Sequence, residues 1–196
     1  MDLSRSSFES PVGPLTLVAS ERGLCAILWP GRKDSRKKSD QVPKSSRHPV
    51  LARTARQLRE YFGGTRRAFE LPLDPEGSDF ELRVWQGLCA IGYGSTLSYG
   101  ALARAIGSAK AARAVGGATG RNPIPIVVPC HRLVGSDGSL TGFTGGLGVK
   151  RWLLNFESGV ASKAKVLSAN MMHDKGTVRQ ASPGRTFFHS ISRTPH

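Results

Sequence analysis

The stretch SYGALARAIGSAKAARAVGGA, residues 98–118, decides the fold of this chain. Ser98 can cap a first helix that ends near Ile106, and Ser108 can cap a second helix that fills the rest of the stretch. Gly107, between the two, has the backbone freedom that a tight turn requires. The pattern predicts a helix-turn-helix, and it also fits an ordinary αα-hairpin.

The second of these helices carries small side chains apart from Lys110 and Arg113. In a helix-turn-helix the second helix lies against DNA, and small side chains allow a close approach. Lys and Arg bind phosphates irrespective of base sequence, whereas Ala and Gly have nothing with which to read base edges. The composition therefore predicts DNA binding through the phosphate backbone, although Arg113 is also compatible with an ordinary solvated arginine.

Downstream, NPIPIVVP at residues 122–129 forms a stiff, apolar approach to Cys130. Its prolines restrict the backbone and so fix where the thiol points. A thiol becomes a nucleophile when a nearby base or cation lowers its pKa, and His131 is adjacent in sequence. Cys130 is therefore a candidate nucleophile. The alternative is an inert buried residue, which is our interpretation of Cys25 and Cys89.

Upstream of the helix pair, the sequence predicts a small α+β module. Short β-prone runs and apolar residues at helical spacing alternate there, with turn signals between them. The predicted elements are a hairpin over Pro14–Ser20 and Leu24–Trp29, a helix over Val50–Phe62 closed by Gly63-Gly64, a short strand at Phe69–Leu71, and a helix that starts from a capping box at Ser78–Glu81. Beyond Cys130, a last helix is predicted over Val149–Glu157.

Charge is distributed unevenly along the chain. The 28 Lys and Arg residues exceed the 14 Asp and Glu residues, which gives a net charge of +14. Residues 32–47 hold seven basic and two acidic residues, a composition that predicts a mobile loop. Residues 159–196 are basic without a long apolar period and are predicted to be a disordered tail. The predicted domains are therefore 1–77, which includes the loop, and 78–158, followed by the tail.

The overall composition excludes several classes of protein. With 39% hydrophobic and 21% charged residues, the chain can form a packed core, so wholesale disorder is excluded. No apolar run approaches the ~20 residues that span a bilayer, and the first residues lack the apolar core of a secretory signal. Three widely spaced cysteines form neither a disulfide framework nor a cysteine-rich zinc site. We expect a cytoplasmic protein if the source is bacterial and a nuclear one if it is eukaryotic.

An ordered set of motifs surrounds Cys130. It consists of Ser98-Tyr99-Gly100, Arg113-Ala114-Val115-Gly116, Asn122-Pro123, Pro129-Cys130-His131-Arg132, Gly145-Gly146-Leu147 and the run from Val149 to Glu157, with Phe80 and Val84-Trp85 before them. In order and spacing the set resembles the O6-alkylguanine-DNA alkyltransferases, also called methylated-DNA–protein-cysteine methyltransferases. The resemblance is strong over residues 78–158 and loose before them. It implies an α+β protein with a ribonuclease-H-like N-terminal module and a mainly helical, winged helix-turn-helix-like C-terminal domain.

The resemblance also implies a function, which is DNA repair by direct reversal of damage. The alkyl group of O6-alkylguanine, or the methyl group of O4-methylthymine, would pass irreversibly from a flipped-out base to Cys130. His131 would act through a water as the base, Glu157 would orient His131, and Tyr99 would donate a proton to the purine. Asn122 would link the second helix to the strand that presents Cys130.

Further roles follow from the same resemblance. Arg113 would enter the base stack where the guanine has left, and binding would be through the minor groove of duplex DNA by a monomer. The remaining DNA-binding residues would be Ser98, Lys110, Ala112, Gly116 and Arg121, and the substrate pocket would be lined by Leu133, Phe143, Thr144 and Gly145. No cofactor is expected to regenerate the thioether, so each molecule would act once. No metal is expected, because Met1, Ser20 and Cys25 fall where zinc ligands would be.

Three departures from the family pattern are mild. Gly92 stands in place of a common proline, Leu133 in place of valine and Phe143 in place of tyrosine. Taken singly, Tyr99, Asn122 and Glu157 also fit a core-edge residue, a turn residue before proline and a helix-terminal carboxylate. The competing functions are a non-catalytic alkylguanine-binding protein of the alkyltransferase-like kind, a helix-turn-helix regulator and a Cys–His hydrolase. The presence of Cys130 argues against the first of these.

Overall fold

The structure, a computed structural model, describes residues 2–30, 42–45, 47–172 and 187–188, of which 162–172 and 187–188 are described by their backbone alone. The predicted mobile loop lies outside these residues apart from 42–45 and 47, and so does the predicted disordered tail beyond 172, apart from 187–188. The strands are β1 (Leu3–Phe8), β2 (Leu15–Ser20), β3 (Leu24–Leu28), β4 (Pro72–Leu73), β5 (Leu97–Ser98), β6 (Leu133–Val134) and β7 (Phe187–Phe188), and the helices are α1 (Pro49–Phe62), α2 (Asp79–Cys89), α3 (Tyr99–Ala105), α4 (Ala112–Gly120) and α5 (Leu147–Met172).

The N-terminal module is built on a sheet with the strand order β1-β2-β3-β4-β7 among the described residues. The hairpin of β2 and β3 is confirmed, and every residue of β3 is buried. Strand β1 was not predicted, because LSRSSF is mostly polar and offers little hydrophobic alternation. It is nevertheless paired antiparallel with β2 over its whole length.

The strand predicted at Phe69–Leu71 is displaced, and the observed strand begins directly after the predicted run. Phe69 and Leu71 are buried in the core, whereas the pairing falls on Pro72–Leu73, which runs parallel to β3. Phe69 and Leu71 are apolar because their side chains pack into the core. An apolar pattern alone does not show which residues form the hydrogen bonds between strands. Strand β7 then adds to β4 in parallel, which brings the C-terminal segment back to the N-terminal sheet.

Helices α1 and α2 agree with their sequence signals. Helix α1 ends at Phe62, where Gly63 caps it and Gly64 takes a positive φ of 75°. Helix α2 begins after Ser78, whose side chain accepts from the Glu81 backbone while the Glu81 carboxylate accepts from the Ser78 backbone. This reciprocal pair satisfies two N–H groups that the helix itself cannot bond. The capping box is therefore confirmed.

The helix pair at residues 98–118 is only partly as predicted. Ser98 caps α3 by accepting from the Ala101 backbone, and Gly107 has a φ of 72°. Ser108 does not cap α4, which starts later, at Ala112, after a turn in which the Ala111 N–H donates to the Ser108 carbonyl. The prediction of a Ser108 cap was wrong, because the residues between Ser108 and Ala111 form a separate turn and not the first turn of the helix.

Helix α5 is longer than the predicted Val149–Glu157 and runs from Leu147 to Met172. The prediction stopped at Glu157 because the apolar period fades there and Gly159 follows. Beyond Gly159 the sequence VASKAKVLSANMM contains no proline and is rich in Ala, Lys, Leu and Met, which favour the helix. The first part of the predicted disordered tail is thus helical.

One apolar core joins the two halves of the chain. Residues from Phe8 in β1 to Leu153 in α5 belong to a single buried cluster. Where the halves meet, Phe62 of α1 lies 6.1 Å from Trp152, and Trp152 stacks on Phe156 at 5.1 Å between ring centroids. Within the described ranges, no helix is both long and apolar enough to cross a membrane.

Candidate active site

Asn122 fixes the segment that leads to Cys130. Its Nδ2 donates to the Val128 carbonyl at 2.8 Å, and its Oδ1 accepts from the Ile124 backbone at 3.0 Å. Between these contacts Ile126 takes a φ of 74°, a left-handed conformation that a β-branched residue rarely adopts. The buried Asn122 side chain therefore holds a strained turn in place, and the short 3-10 turn Cys130–Arg132 follows it.

The thiol of Cys130 is buried, with 3% of the residue exposed. Burial raises its pKa to about 11, while the Asn122 side chain and the Lys150 cation act in the opposite direction. At neutral pH the resting group is therefore a thiol. A reaction that needs the thiolate must include a base that removes this proton.

His131 has the surroundings that such a base requires. Its ring is fully buried, and its Nε2 lies 2.9 Å from Glu157 Oε1. Burial lowers the pKa of His131 although Glu157 opposes the change, so the ring is neutral near pH 7. With Nε2–H donated to the carboxylate, Nδ1 carries the lone pair, and Nδ1 has no hydrogen-bond partner among the described residues.

Glu157 is the centre of a buried polar network. Its carboxylate accepts from His131 and from the Gly94 backbone, from Arg132 through both Nε and Nη2 at 2.9 Å, and from the Tyr61 hydroxyl at 2.8 Å. Burial alone would raise the pKa of Glu157, but the bonds and charges of His131 and Arg132 outweigh it and hold the pKa at about 2. The carboxylate is therefore ionised throughout the neutral range.

Three residues of this site were not among the predicted ones. Arg132 was considered only as part of a motif, Lys150 was given no role, and Tyr61 lies in the other module. Lys150 is fully buried, and its Nζ donates to the carbonyls of Leu133 and Thr141. Fully buried lysines are rare, and a charged residue inside the apolar stripe of a helix was the signal that could have found it.

A cavity of about 490 Å³ opens beside the second helix. It is lined by Tyr99, Ala112, Gly116, Gly120, Thr141, Gly142, Phe143 and Thr144. Predicted pocket residues and predicted DNA-binding residues thus share one surface. Leu133 is fully buried in the core, and a side chain on Gly145 would come within 2.8 Å of Trp29 and 2.9 Å of Phe143. The absence of a side chain on Gly145 therefore leaves space for the rings of Trp29 and Phe143.

The predicted DNA-binding side chains differ in their surroundings. Lys110 and Arg113 are exposed near the start of α4, whereas Ser98 is the α3 cap. Arg121 lies at the other end of α4 and pairs with Glu81 at 2.5 Å, which ties α4 to α2. The structure thus presents Arg113 and Lys110 to solvent and gives Arg121 a structural partner.

The positions expected to have lost a zinc site hold a different cluster. Ser20 donates to Asp74 at 2.7 Å, Arg22 pairs with Asp74 at 2.9 Å, and Cys25 lies 3.9 Å from the same carboxylate. This cluster fastens the β2–β3 turn to the end of β4. Among the described residues, no group of three or more His, Cys, Asp or Glu side chains could hold a metal ion.

Comparison with known protein families gives two matches that together span most of the chain. Residues 79–159 match the model of the 6-O-methylguanine DNA methyltransferase DNA-binding domain, and residues 3–75 match that of its ribonuclease-like domain. The chain belongs to the 6-O-methylguanine DNA methyltransferase family. The family resemblance and the α+β class inferred from the sequence are both confirmed.

Individual members of the family are similar over most of their length. A methylated-DNA–protein-cysteine methyltransferase of Methanosarcina barkeri is 45% identical over 150 residues, which are 76% of this chain and 93% of that protein. A constitutive enzyme of the same name from Bacillus subtilis is 43% identical, over 76% of this chain and 92% of that one. The crystal structure of Mycobacterium tuberculosis OGT in complex with DNA superposes with a TM-score of 0.73 at 41% identity and covers 80% of this chain and 94% of that chain.

Proposed function

We propose that this methyltransferase repairs DNA by transferring an alkyl group from O6-alkylguanine to the Sγ of Cys130. One observation carries the proposal. Cys130 immediately precedes the buried His131 in one 3-10 turn, and the neutral His131 ring is bonded to an ionised Glu157 through Nε2 while Nδ1 is bonded by no described residue. That is the arrangement of a general base with an orienting carboxylate.

The proton of Cys130 passes first to Nδ1 of His131, through a water. Glu157 stabilises the imidazolium that results, because its negative charge lies 2.9 Å from Nε2. The thiolate attacks the alkyl carbon, a sulfur–carbon bond forms, and the carbon–O6 bond breaks with its electron pair moving onto guanine. Guanine leaves with a proton that it takes from Tyr99. The Tyr99 phenolate then takes a proton from solvent, and the His131 imidazolium releases its proton to solvent.

Access to the buried thiol requires that the damaged base leave the duplex. Tyr99, Gly116 and Phe143 line the cavity next to α4, which gives an extruded base a place beside the helix. In this proposal Arg113 enters the stack from the exposed start of α4, and Lys110 and the Ser98 end of α3 contact phosphates. Minor-groove binding by a monomer completes the arrangement.

The product of the reaction is a thioether on Cys130. A thioether does not undergo the exchange that reverses a disulfide, so one molecule accepts one alkyl group. This stoichiometry distinguishes an alkyltransferase from a hydrolase, which would turn over many substrates, and from a binding-only relative, which would transfer no alkyl group.

The test uses duplex DNA that carries O6-methylguanine with a labelled methyl group. We expect label to reach the protein with a limit of one per molecule, and a methyl-sized mass increase on the peptide that contains Cys130. Cys130→Ala should accept no label, whereas Cys89→Ala, which removes a half-buried cysteine elsewhere, should accept as much as the wild type. Binding without transfer, or turnover beyond one, would overturn the proposal.

A further inference from the structure

Tyr61 brings the N-terminal module into the site of alkyl transfer. It lies in the last turn of α1, is fully buried, and is 96 residues from Glu157 in sequence. Its hydroxyl donates to Glu157 Oε1 at 2.8 Å. The other side-chain and backbone donors to this carboxylate, His131, Arg132 and Gly94, belong to the C-terminal domain.

The oxygen that accepts from Tyr61 is the one that binds His131. Glu157 Oε1 lies 2.9 Å from His131 Nε2 and also accepts from Arg132 Nη2 at 2.9 Å. Three donors therefore converge on one oxygen, and their directions fix the plane of the carboxylate. Because His131 is held by that same oxygen, the orientation of its ring depends on all three.

The ring of Tyr61 is packed among other aromatic rings. It contacts Phe69 at 5.5 Å and Phe156 at 5.8 Å between centroids, and it meets Tyr93 edge-on at 6.0 Å. Burial and the charge of Glu157 raise the pKa of Tyr61 well above its ordinary value. The phenol therefore remains protonated and acts as a fixed donor.

We infer that Tyr61 is a positioning residue for alkyl transfer, which acts by holding the Glu157 carboxylate that orients His131. The inference rests on the proposed function, since it assigns a role within the same reaction. It implies that the N-terminal module supplies part of the reactive site and that the C-terminal domain alone is incomplete.

Loss of the hydroxyl would change two properties of His131. The Glu157 carboxylate would lose one of the hydrogen bonds that fix its plane, so the His131 ring would be held less firmly for proton transfer. The charge on Oε1 would also no longer be shared with the Tyr61 hydroxyl and would act more strongly on His131, whose other charged neighbours are Arg132 and Lys150. The protonated form of His131 would thereby be favoured at a higher pH.

The test compares Tyr61→Phe with Tyr93→Phe in the full-length protein. Each change removes one buried phenolic oxygen and keeps the ring. Tyr93 is a matched control because it also lies near Glu157, yet its hydroxyl has no hydrogen-bond partner in the part of the chain that the structure describes. Single-turnover rates of label transfer from methylated duplex DNA would be measured between pH 5 and pH 9, with thermal unfolding as a check of folding.

We expect Tyr61→Phe to transfer label to the same final stoichiometry but about tenfold more slowly, as for the loss of one charge-assisted hydrogen bond. The acid limb of its pH profile should move upwards by about half a pH unit. Tyr93→Phe should keep the wild-type rate and profile. Equal profiles for Tyr61→Phe and the wild type, or equal losses in both variants, would overturn the inference.

A second substitution keeps the inference testable if Tyr61→Phe does not fold. Incorporation of 3-fluorotyrosine in place of Tyr61 keeps the ring and makes the hydroxyl a stronger donor, so the acid limb should move downwards. An unchanged limb would contradict the role of the donor. If the wild type itself transferred no label, the proposed function would fail, which is a different result from a wild type that transfers and a Tyr61→Phe variant that matches it.

Discussion

At the scale of single residues, Glu157 shows how a fully buried charge is kept in this protein. Arg132 supplies the opposite charge through two hydrogen bonds, and Tyr61, Gly94 and His131 donate one further hydrogen bond each. Removal of one partner from a buried ion pair leaves an uncompensated charge, which costs more than the pair contributes. The buried cation of Arg132 therefore needs the Glu157 carboxylate as a counter-charge, and the carboxylate equally needs the cation.

We predict that Glu157→Gln lowers the free energy of unfolding at pH 7 by about 3 kcal/mol, because Arg132 would stay buried without a counter-charge. The folded-state pKa of about 2 lies below the ordinary value of 4.5, so the contribution of this carboxylate is complete above 4.5 and is lost as pH falls towards 2. Urea unfolding of both proteins from pH 7 to pH 3 should show the difference shrinking below 4.5.

A suitable control for this measurement is Glu60→Gln, which removes a carboxylate that is 36% exposed and paired with Arg66 at the surface. That change should cost less than about 1 kcal/mol at any pH. A Glu157→Gln difference that stayed constant down to pH 3 would contradict the assignment of the charged network.

Sequence reasoning identified some residues of this network and missed others for a physical reason. Cys130, His131 and Glu157 lie in or near an ordered motif, so their proximity could be expected from the resemblance. Tyr61 sits at an apolar helical position, where a tyrosine is indistinguishable from a core aromatic until the tertiary contact is known. Local pattern carries no information about a bond that closes over 96 residues.

At the scale of elements, α4 combines small side chains, which allow a ligand to approach the helix closely, with one exposed arginine. Gly116, Gly120 and Ala112 face the cavity, and the first turn bears the exposed Arg113. The sequence predicted the helix pair and its glycine turn, because caps and positive-φ glycines are local signals. It misplaced the start of α4 by several residues, because a separate turn over Ser108–Ala111 precedes the helix.

We predict that Arg113→Ala slows repair of methylated duplex DNA about a hundredfold, since extrusion of a base costs a few kcal/mol and the arginine would offset that cost. Reaction with the free base O6-benzylguanine should change less than about threefold, because no duplex has to be opened. Rates of Cys130 alkylation by each substrate give the comparison.

Arg53→Ala provides the matched control, since Arg53 is an exposed arginine on α1 in the other module. It should leave both rates near those of the wild type. Equal losses of the Arg113→Ala variant on duplex DNA and on the free base would mean that Arg113 does not fill the stack.

At the scale of the whole molecule, the two modules share an apolar core and a buried polar network. Tyr61 of α1 contacts Glu157 of α5, and the next residue of α1, Phe62, packs against Trp152 of the same helix α5. The family and the fold class followed from sequence motifs, whereas this joint construction depended on how the modules pack. The net charge of +14 adds a second property of the whole chain.

The basic stretch 32–47 contributes seven of the 28 Lys and Arg residues and contains none of the residues assigned to the reaction. We predict that it strengthens attraction to any DNA without affecting chemistry. Substitution of Arg32, Lys33, Arg36, Lys37 and Lys38 by Gln should weaken binding to undamaged duplex at low salt. A plot of log binding constant against log salt should become shallower by up to about 0.9 for each phosphate that the variant no longer neutralises. Alkylation of Cys130 by free O6-benzylguanine should be unchanged, and a salt slope equal to that of the wild type would mean that this stretch does not bind phosphates.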